Sequence, residues 1–352
     1  MNDITSRIPL NGRLTAEWDS RMDATLIAWP HADTDWADML DEIDQCYLDL
    51  TAALLKAGQK ILIATPEPDR VKGLLPADPP ADRVTVARCP TNDTWTRDYG
   101  PLTVEDSDGN LSPLSYKFNG WGMKFPANKD NCACLALMTH FNTGVLLRKK
   151  YVLEGGSIET DGRGTILTTS QCMLSFNRNG LVARKDVERE LAEGLQATHV
   201  LWLDNGALEG DDTDSHVDTL ARLAPDDTII YVKSYDPEDS HTAELDRMEE
   251  ELKELRTPEG NPYNLIGLPL PSPIHDEEGH RLPATYANFL ITPKAVLMPV
   301  YGQPLNDEMA SQMLSMSFPD REIITVDCRP LIRQHGSLHC ATMQFPSTWL
   351  KD

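Results

Sequence analysis

Residues that can carry acid–base or nucleophilic chemistry recur along this sequence, each at or just before a segment with the composition of a β-strand. They are Asp98, Glu154, His216 with Asp218, Asn288 and Cys340. A cysteine with a histidine elsewhere in the chain is a candidate nucleophile, and carboxylates beside it suit a cationic ligand. Taken singly, each has a structural explanation: a buried cysteine packs as a small hydrophobe, and Asp98 follows Arg97, a ready salt-bridge partner. Their shared position before the strands is therefore the functional signal.

The strand-like segments occur in pairs, and each pair has a turn signal in its middle that is typical of a β-hairpin. The turns are predicted at 107–110, 161–162, 225–227 and 293–294. A helix-like stretch follows each hairpin, at 128–141, 186–197, 244–256 and 306–318. A short apolar strand follows each helix, at 151–155, 199–204, 264–271 and 322–327. The unit strand–strand–helix–strand thus recurs at intervals of roughly sixty residues.

The two ends of the chain supply the parts of a fifth unit. The N-terminal region provides a strand at 24–30, an amphipathic helix at 38–58 and a strand at 60–66, and segment 338–346 is a strand left over at the other end. Pairing of the first and last of these strands would leave fewer exposed sheet edges. We therefore predict an α/β fold of five ββαβ units with pseudo-fivefold symmetry, closed by its N- and C-terminal strands. We expect residues 1–352 to form a single catalytic domain; the alternative is an open sheet of five unrelated α/β pieces.

In a ring of this kind, equivalent positions point at the central axis, so residues far apart in sequence meet. His216 and Asp218 are two residues apart and would share one face of a strand. His339 and Cys340 are adjacent, so on a strand they would point to opposite faces. We therefore expect His339 to contribute packing rather than chemistry. Arg97 would likewise face away from Asp98 if that stretch is extended.

Charge and composition exclude several classes of partner. The chain has 352 residues and a formal net charge of -23, which would repel nucleic acid and attract a cationic small molecule. No apolar stretch is long enough to span a membrane, and the first thirteen residues lack the apolar segment of a secretory signal. Seven cysteines without regular spacing indicate free thiols in a reducing compartment. We expect a cytoplasmic protein with no nucleic-acid or membrane partner; the sequence leaves open whether it is a homo-oligomer.

The sequence matches none of the spacing patterns that are typical of metal or cofactor sites. Cys132, Cys134 and His140 have no zinc-site spacing. The segment "DDTDSHVD" starts like a calcium loop, but Val217 and Leu223 stand where that loop requires glycine and glutamate. No phosphate loop or dinucleotide fingerprint is present. We therefore expect neither a metal ion nor an organic cofactor.

Four segments carry a family resemblance, and they are specific in combination and in order: "NDTWTRDYGP", "LEGGSIETDGRGTILTT", "TDSHVDTLARL" and "LHCATMQFP". They resemble the agmatine deiminase family, part of a guanidine-modifying superfamily that also includes bacterial-type peptidylarginine deiminases. The resemblance covers essentially the whole chain and implies a five-bladed α/β-propeller, the pentein fold. The sequence departs from the family at 335–338, where relatives commonly have three glycines and asparagine. It also departs at Ser215, where they commonly have glycine.

The resemblance implies a role for each site residue. Cys340 is similar to the family's nucleophile and His216 to its general acid and base. Asp98 and Asp218 match the carboxylates that hold the guanidinium, and Glu154 matches the acid that pairs with the histidine or the guanidinium. The implied reaction converts agmatine and water to N-carbamoylputrescine and ammonia through a covalent thiouronium intermediate on the cysteine. It would belong to polyamine biosynthesis.

Alternative functions remain open at this level. The same machinery could deiminate arginine in peptides, and a propeller could bind guanidines as a sensor without turnover. A thiol amidase or protease would need donors for an oxyanion, whereas here acids gather near the thiol. Trp95 and Trp121 are candidates to contact a cationic substrate through their rings, with core packing as the alternative. The sequence does not indicate which residues bind the distal amine of agmatine.

Overall fold

The structure, a computed structural model, describes residues 12–76 and 82–351. The first eleven residues, on which the expectation about a secretory signal depends, lie outside this part of the chain. Within it, no helix combines the length and the apolar character that crossing a lipid bilayer requires.

The described strands form five separate sheets, and every sheet combines antiparallel with parallel pairing. In spatial order, the first sheet contains Arg13–Leu14, Leu102–Glu105, Leu111–Lys117 and Leu147–Val152; the second His199–Leu203, Thr165–Thr169 and Ile158–Thr160; the third Ala221–Ala224, Thr228–Lys233 and Asn264–Pro269; the fourth Leu290–Ile291, Ala295–Val300 and Glu322–Asp327; the fifth Met343–Phe345, Ala24–Ala28, Lys60–Thr65 and Val84–Arg88. We refer to them below as the first to the fifth sheet.

Helices connect the antiparallel pairs to the parallel strands. The longer ones are Leu40–Lys56, Arg184–Leu195, Thr242–Glu254 and Pro304–Ser317. Shorter α-helices span Pro68–Leu74, Thr96–Tyr99, Gly120–Met123, Ala133–Leu137, Ser170–Met173, Phe176–Asn179 and Arg329–Ile332. Turns of 3₁₀ helix span Ala37–Met39, Asp130–Cys132, Met138–His140, Gly155–Ser157, Val217–Thr219 and Ser347–Trp349.

The predicted hairpins lie where the turn residues place them, because Gly, Asp and Pro supply the backbone conformations that tight turns need. All four predicted turns separate antiparallel strands. The predicted helical stretch at 128–141 is present: the α-helix Ala133–Leu137 is flanked directly by the 3₁₀ turns Asp130–Cys132 and Met138–His140. Asn131 accepts a hydrogen bond from the Phe118 backbone N–H (2.8 Å), which holds this stretch against the residue that follows Leu111–Lys117.

The ends of the chain pair as expected, with Met343 opposite Leu26 in an antiparallel ladder. The closing strand, however, is shorter than predicted, because Met343–Phe345 is strand while 338–341 is a turn. Backbone N–H groups of Ala341 and Thr342 donate back to the carbonyls of Ser337 and His339 within that turn. The expectation that Cys340 lies on a strand is therefore wrong.

The closing strand is held by aromatic packing, which gives a test of its contribution. Phe345 is fully buried and stacks on Trp349 with 6.0 Å between ring centroids. Phe345→Ala is expected to lower the free energy of unfolding by about 3–5 kcal/mol, because the substitution leaves a cavity. Guanidinium chloride denaturation measures this, with Phe176→Ala as the control, since Phe176 is 70% exposed. Equal effects of the two substitutions would contradict this account of the closing strand.

Candidate active site

The polar residues singled out in the sequence meet in one small space, and each sheet contributes from the segment just before its first hairpin strand. Gly156 lies at their centre: a Cβ on it would be 2.7 Å from His216 Nδ1, 2.8 Å from Asp98 Oδ1 and 3.0 Å from Asp218 Oδ2. Heavy atoms do not approach a real Cβ so closely, so this position requires glycine. The convergence places carboxylates, an imidazole and a thiol around a single point.

Cys340 lies in the turn before the closing strand and borders a pocket of about 150 Å³. Its Sγ is 3.3 Å from Asn288 Nδ2 and 3.9 Å from Asp218 Oδ2. Burial, together with the negative charges of Asp218 and Asp98, raises the pKa of this thiol well above its usual value. The free protein therefore holds a thiol that a bound cation would help to ionise.

His216 and Asp218 do not share the face of a strand, because both precede it. His216 caps the 3₁₀ turn Val217–Thr219, and the strand begins only at residue 221. The imidazole is buried between two carboxylates, with Nε2 3.3 Å from Glu154 Oε2 and Nδ1 3.6 Å from Asp98 Oδ1. Burial opposes its charge, but these neighbours, Asp98 first, raise the pKa of His216 well above its usual value. The free site therefore holds an imidazolium that can give up a proton.

Asp98 lies in the short helix Thr96–Tyr99 and not in an extended stretch. Its Oδ2 accepts a hydrogen bond from Trp121 Nε1 (2.8 Å) and its Oδ1 one from the Gly156 backbone N–H (2.9 Å). Burial raises the pKa of Asp98 to about 6 despite the opposing charge of His216. Arg97 forms no salt bridge with it and instead donates to Gln344 Oε1 (2.7 Å). The carboxyl group of Asp98 is therefore expected to gain or lose its proton near pH 6.

Asp218 is fully buried and ionised more readily than a free aspartate. Its Oδ2 accepts a hydrogen bond from His339 Nδ1 (2.7 Å), and this contact outweighs the effect of burial and lowers the pKa of Asp218. Its Oδ1 has no hydrogen-bond partner among the described residues. A buried carboxylate oxygen without a donor is an acceptor available to a ligand.

Glu154 is held by an arginine that sequence reasoning missed. Arg178, in the short helix Phe176–Asn179, donates from Nε to Glu154 Oε2 (2.7 Å) and from Nη1 to Asp214 Oδ2 (2.5 Å). Together with the hydrogen bond from His216, it outweighs burial and lowers the pKa of Glu154. Arg178 lies outside every motif, and nothing in its local sequence distinguishes it from a surface arginine.

Metal binding has one geometric candidate in this region. Glu154, Cys172 and His216 offer ligand atoms close enough together to hold an ion. The guanidinium of Arg178 already occupies one side of that carboxylate, and a fixed positive charge there disfavours a metal cation. Asp276, Glu278 and His280 form a second, more exposed group outside the pocket.

The pocket is acidic and aromatic. Its described lining includes Asp35, Asp93, Trp95, Asp98, Trp121, Phe125, Asp212, Thr213, Thr219, Gln334, His335, Gly336 and Cys340, and no lysine or arginine. Both tryptophans expected near a substrate are therefore present. The indole of Trp95 also packs against Gly336, where a Cβ would lie 2.4 Å from the ring. This contact accounts for glycine within the otherwise divergent segment 335–338.

Ser215 is the second position at which the sequence departs from the family, whose members commonly have glycine there. Its backbone has the left-handed conformation that favours glycine. Its φ is 62°, and that of Asp214 is 65°. A left-handed residue with a Cβ costs roughly 1–2 kcal/mol. Three contacts hold it: its N–H donates to Asp211 Oδ2 (2.7 Å), its Oγ donates to Gln171 Oε1 (3.2 Å), and its carbonyl accepts from Thr169 Oγ1 (2.7 Å). The substitution is therefore compatible with the same loop shape.

Comparison with known proteins gives relatives over the full length. The agmatine deiminase of Stutzerimonas stutzeri is 27% identical, with 100% of each chain covered. The solved structure of a C. jejuni agmatine deiminase with substrate bound is 36% identical, with a TM-score of 0.88 over 96% of this chain and 97% of that one. A Porphyromonas gingivalis structure provisionally named an arginine deiminase is 46% identical, with a TM-score of 0.89 over 96% and 99%.

These structures show the same α/β fold with mixed sheets. The family model for Porphyromonas-type peptidyl-arginine deiminases matches residues 13–346, a range that contains all five sheets and every residue of the acidic pocket. The chain therefore belongs to the Porphyromonas-type peptidyl-arginine deiminase family.

Proposed function

We propose that this protein is an agmatine deiminase, which hydrolyses agmatine to N-carbamoylputrescine and ammonia. One observation carries the proposal: the buried Cys340 thiol lies 3.9 Å from Asp218 Oδ2 and, with Asp98, borders a pocket whose described lining has no basic side chain except His335. Such a pocket favours a cationic ligand and disfavours an anion. The agmatine deiminases among the relatives support this substrate.

Substrate binding follows from the two carboxylates nearest the thiol. A guanidinium is planar and offers N–H groups in pairs, which carboxylates accept in bidentate fashion. Asp98 and Asp218 would fix that plane and orient the central carbon toward Cys340 Sγ. The positive charge of the substrate would then offset the carboxylates that oppose ionisation of the thiol, so the thiol releases its proton to solvent as the substrate binds.

The chemical steps use Cys340 and His216. The thiolate attacks the guanidinium carbon and gives a neutral tetrahedral adduct. His216, protonated in the free site, donates its proton to the departing nitrogen, and ammonia leaves a cationic thiouronium on the sulfur. The now neutral imidazole takes a proton from water, whose oxygen attacks the same carbon. Collapse expels the thiolate, and the hydroxyl proton passes to ammonia as the ureido product forms. The thiolate regains a proton from solvent when the products leave, which restores the free site.

Glu154 would keep His216 oriented and favour its charged form, with Arg178 fixing the carboxylate from behind. The residues of the site supply both proton transfer and nucleophile, so the mechanism uses no metal ion or organic cofactor. We further propose that the five sheets are the blades of a five-bladed α/β-propeller, closed where the terminal strands pair, and that they form one catalytic domain in a cytoplasmic enzyme.

Substrate preference tests the proposal directly. Agmatine is a dication, whereas free arginine brings a carboxylate into a pocket whose described lining contains Asp98 and Asp212 and no lysine or arginine. An unpaired charge of the wrong sign can cost several kcal/mol, so agmatine should be preferred about a hundredfold or more. The measurement is kcat/KM from ammonia release for agmatine, arginine and a peptide with an internal arginine. A higher value for the peptide would favour peptidyl-arginine deimination, and binding without ammonia release would indicate a sensor.

The nucleophile can be tested with two small alkylating agents, 2-chloroacetamidine, which is cationic, and 2-chloroacetamide, which is neutral. The carboxylates beside Cys340 should favour the cationic reagent. The rate of alkylation by 2-chloroacetamidine divided by the rate with 2-chloroacetamide should therefore be at least about tenfold higher at Cys340 than at the exposed Cys132. Peptide mass mapping of both cysteines gives the two ratios in one sample. Equal ratios would argue against the proposed electrostatics, and an adduct from agmatine turnover on another cysteine would rule out Cys340.

Activity should also depend on the protonation of Asp98. Because its pKa is raised to about 6, the carboxylate is ionised above that pH, and kcat/KM for agmatine should fall as the pH drops through about 6. Trp121→Phe removes a donor that stabilises the anion, so the midpoint of this fall should move to higher pH. His216, Asp218 and Glu154 also act on Asp98 and are unchanged in this variant. A midpoint that moves to lower pH would contradict the assignment.

A further inference from the structure

A buried network of charges lies behind Asp218, and its centre is His339. The imidazole is 1% exposed, with Nδ1 2.7 Å from Asp218 Oδ2 and Nε2 2.7 Å from Glu17 Oε2. Arg222 Nη2 lies 3.2 Å from the same Glu17 oxygen and 3.0 Å from His339 Nε2. No hydrogen bond joins His339 to the Cys340 thiol in the described structure, and His339 does not line the pocket.

We propose that His339 is a positioning residue for the reaction: its Nδ1–H holds the Asp218 carboxylate in the orientation that grips the guanidinium. The inference rests on the proposed function, because it assigns Asp218 to substrate binding. It replaces the expectation that His339 only packs, which depended on a strand that is absent at this position.

The direction of the hydrogen bond to Asp218 follows from its acceptor, because an ionised carboxylate only accepts and Nδ1 must therefore carry the proton. A ring with Nδ1–H donates to Asp218 whether neutral or charged, and an imidazolium also donates from Nε2 to Glu17. In both states the donor at Nδ1 faces the carboxylate. Asp218 therefore keeps one oxygen occupied and one without a partner in the described structure.

The ring is fixed from the opposite side, so it cannot readily turn away from Asp218. Glu17 Oε1 accepts a hydrogen bond from the Ile291 backbone N–H (2.5 Å), and Arg97 Nη2 lies 3.4 Å from Glu17 Oε2. Arg222 is in turn held by Glu159 Oε1 at 2.6 Å. Buried carboxylates and guanidiniums that satisfy each other in this way define one geometry, since breaking any one pair leaves an uncompensated charge.

The charges facing Asp218 show why such a support is useful to the reaction. Cys340 Sγ and His339 Nδ1 both approach Asp218 Oδ2, at 3.9 Å and 2.7 Å. Burial raises the pKa of Asp218, but the hydrogen bond from His339, together with the charges of His216 and Arg222, lowers it overall. The histidine thus fixes the orientation of the carboxylate and contributes to the negative charge that a guanidinium requires.

Replacing His339 by asparagine or by glutamine distinguishes the positioning of Asp218 from a contribution to packing alone. Asparagine places its amide nitrogen at the position of Nδ1 and can still donate to Asp218, whereas glutamine places it near Nε2, facing Glu17. The measurement is the dissociation constant for agmatine by calorimetry in a Cys340→Ala background, where no turnover occurs. We expect His339→Asn to bind within a few-fold of the background and His339→Gln about 10- to 100-fold more weakly, the range for a hydrogen bond to a charged group.

The outcomes distinguish the two proposals. The calorimetric stoichiometry reports the fraction of folded protein, so a stability loss is read separately from affinity. Equal dissociation constants for His339→Asn and His339→Gln would overturn the role of His339 and leave the proposed function intact. Failure of the Cys340→Ala background to bind agmatine, arginine or an arginine peptide would overturn the proposed function and the inference together.

Discussion

The burial of carboxylates around one thiol, beside a pocket whose described lining has no lysine or arginine, is the constraint on which the rest of the site depends. Asp98, Glu154 and Asp218 are all nearly inaccessible, and a buried charge costs several kcal/mol unless it is paired. Within the chain, Glu154 contacts Arg178 and His216, and Asp218 accepts a hydrogen bond from His339. The described lining of the pocket contains no lysine or arginine, so a cationic ligand can approach these carboxylates.

The three buried carboxyl groups differ in pKa because their surroundings differ. The pKa of Asp98 is raised because burial outweighs the charge of His216, while contacts led by the hydrogen bonds from His216 and His339 lower the pKa values of Glu154 and Asp218, respectively. Neighbouring carboxyl groups with different pKa values can take different tasks in one site, because one can bind a cation while another supports proton transfer. Trp121 contributes to this division, because its left-handed backbone (φ 52°) directs the indole N–H to Asp98.

The parts that the sequence predicts are those with local signals. Turn residues located the hairpins, and the position before each hairpin located the site residues, because a repeated unit places them equivalently. Alternation of apolar residues could not distinguish the buried turn at 338–341 from a strand, since both bury such side chains. Arg178 and Glu17 escaped detection for another reason. Their partners are distant in sequence, and a long-range ion pair leaves no pattern in the residues around either member.

The pairing of Met343 with Leu26 has a consequence for how the chain folds. Contacts between residues at nearly opposite ends of a long chain form slowly, because the entropy of closing the loop must be met before the contact stabilises anything. Pairing of Met343–Phe345 with Ala24–Ala28 is therefore the step of the fifth sheet that is expected to form last, since the other strands of this sheet lie within residues 24–88. Cys340 is carried to Asp98 and Asp218 by that final step. Before that step, the Cys340 thiol lacks the buried carboxylates that raise its pKa. It is therefore protected from premature ionisation only after the terminal strands have paired.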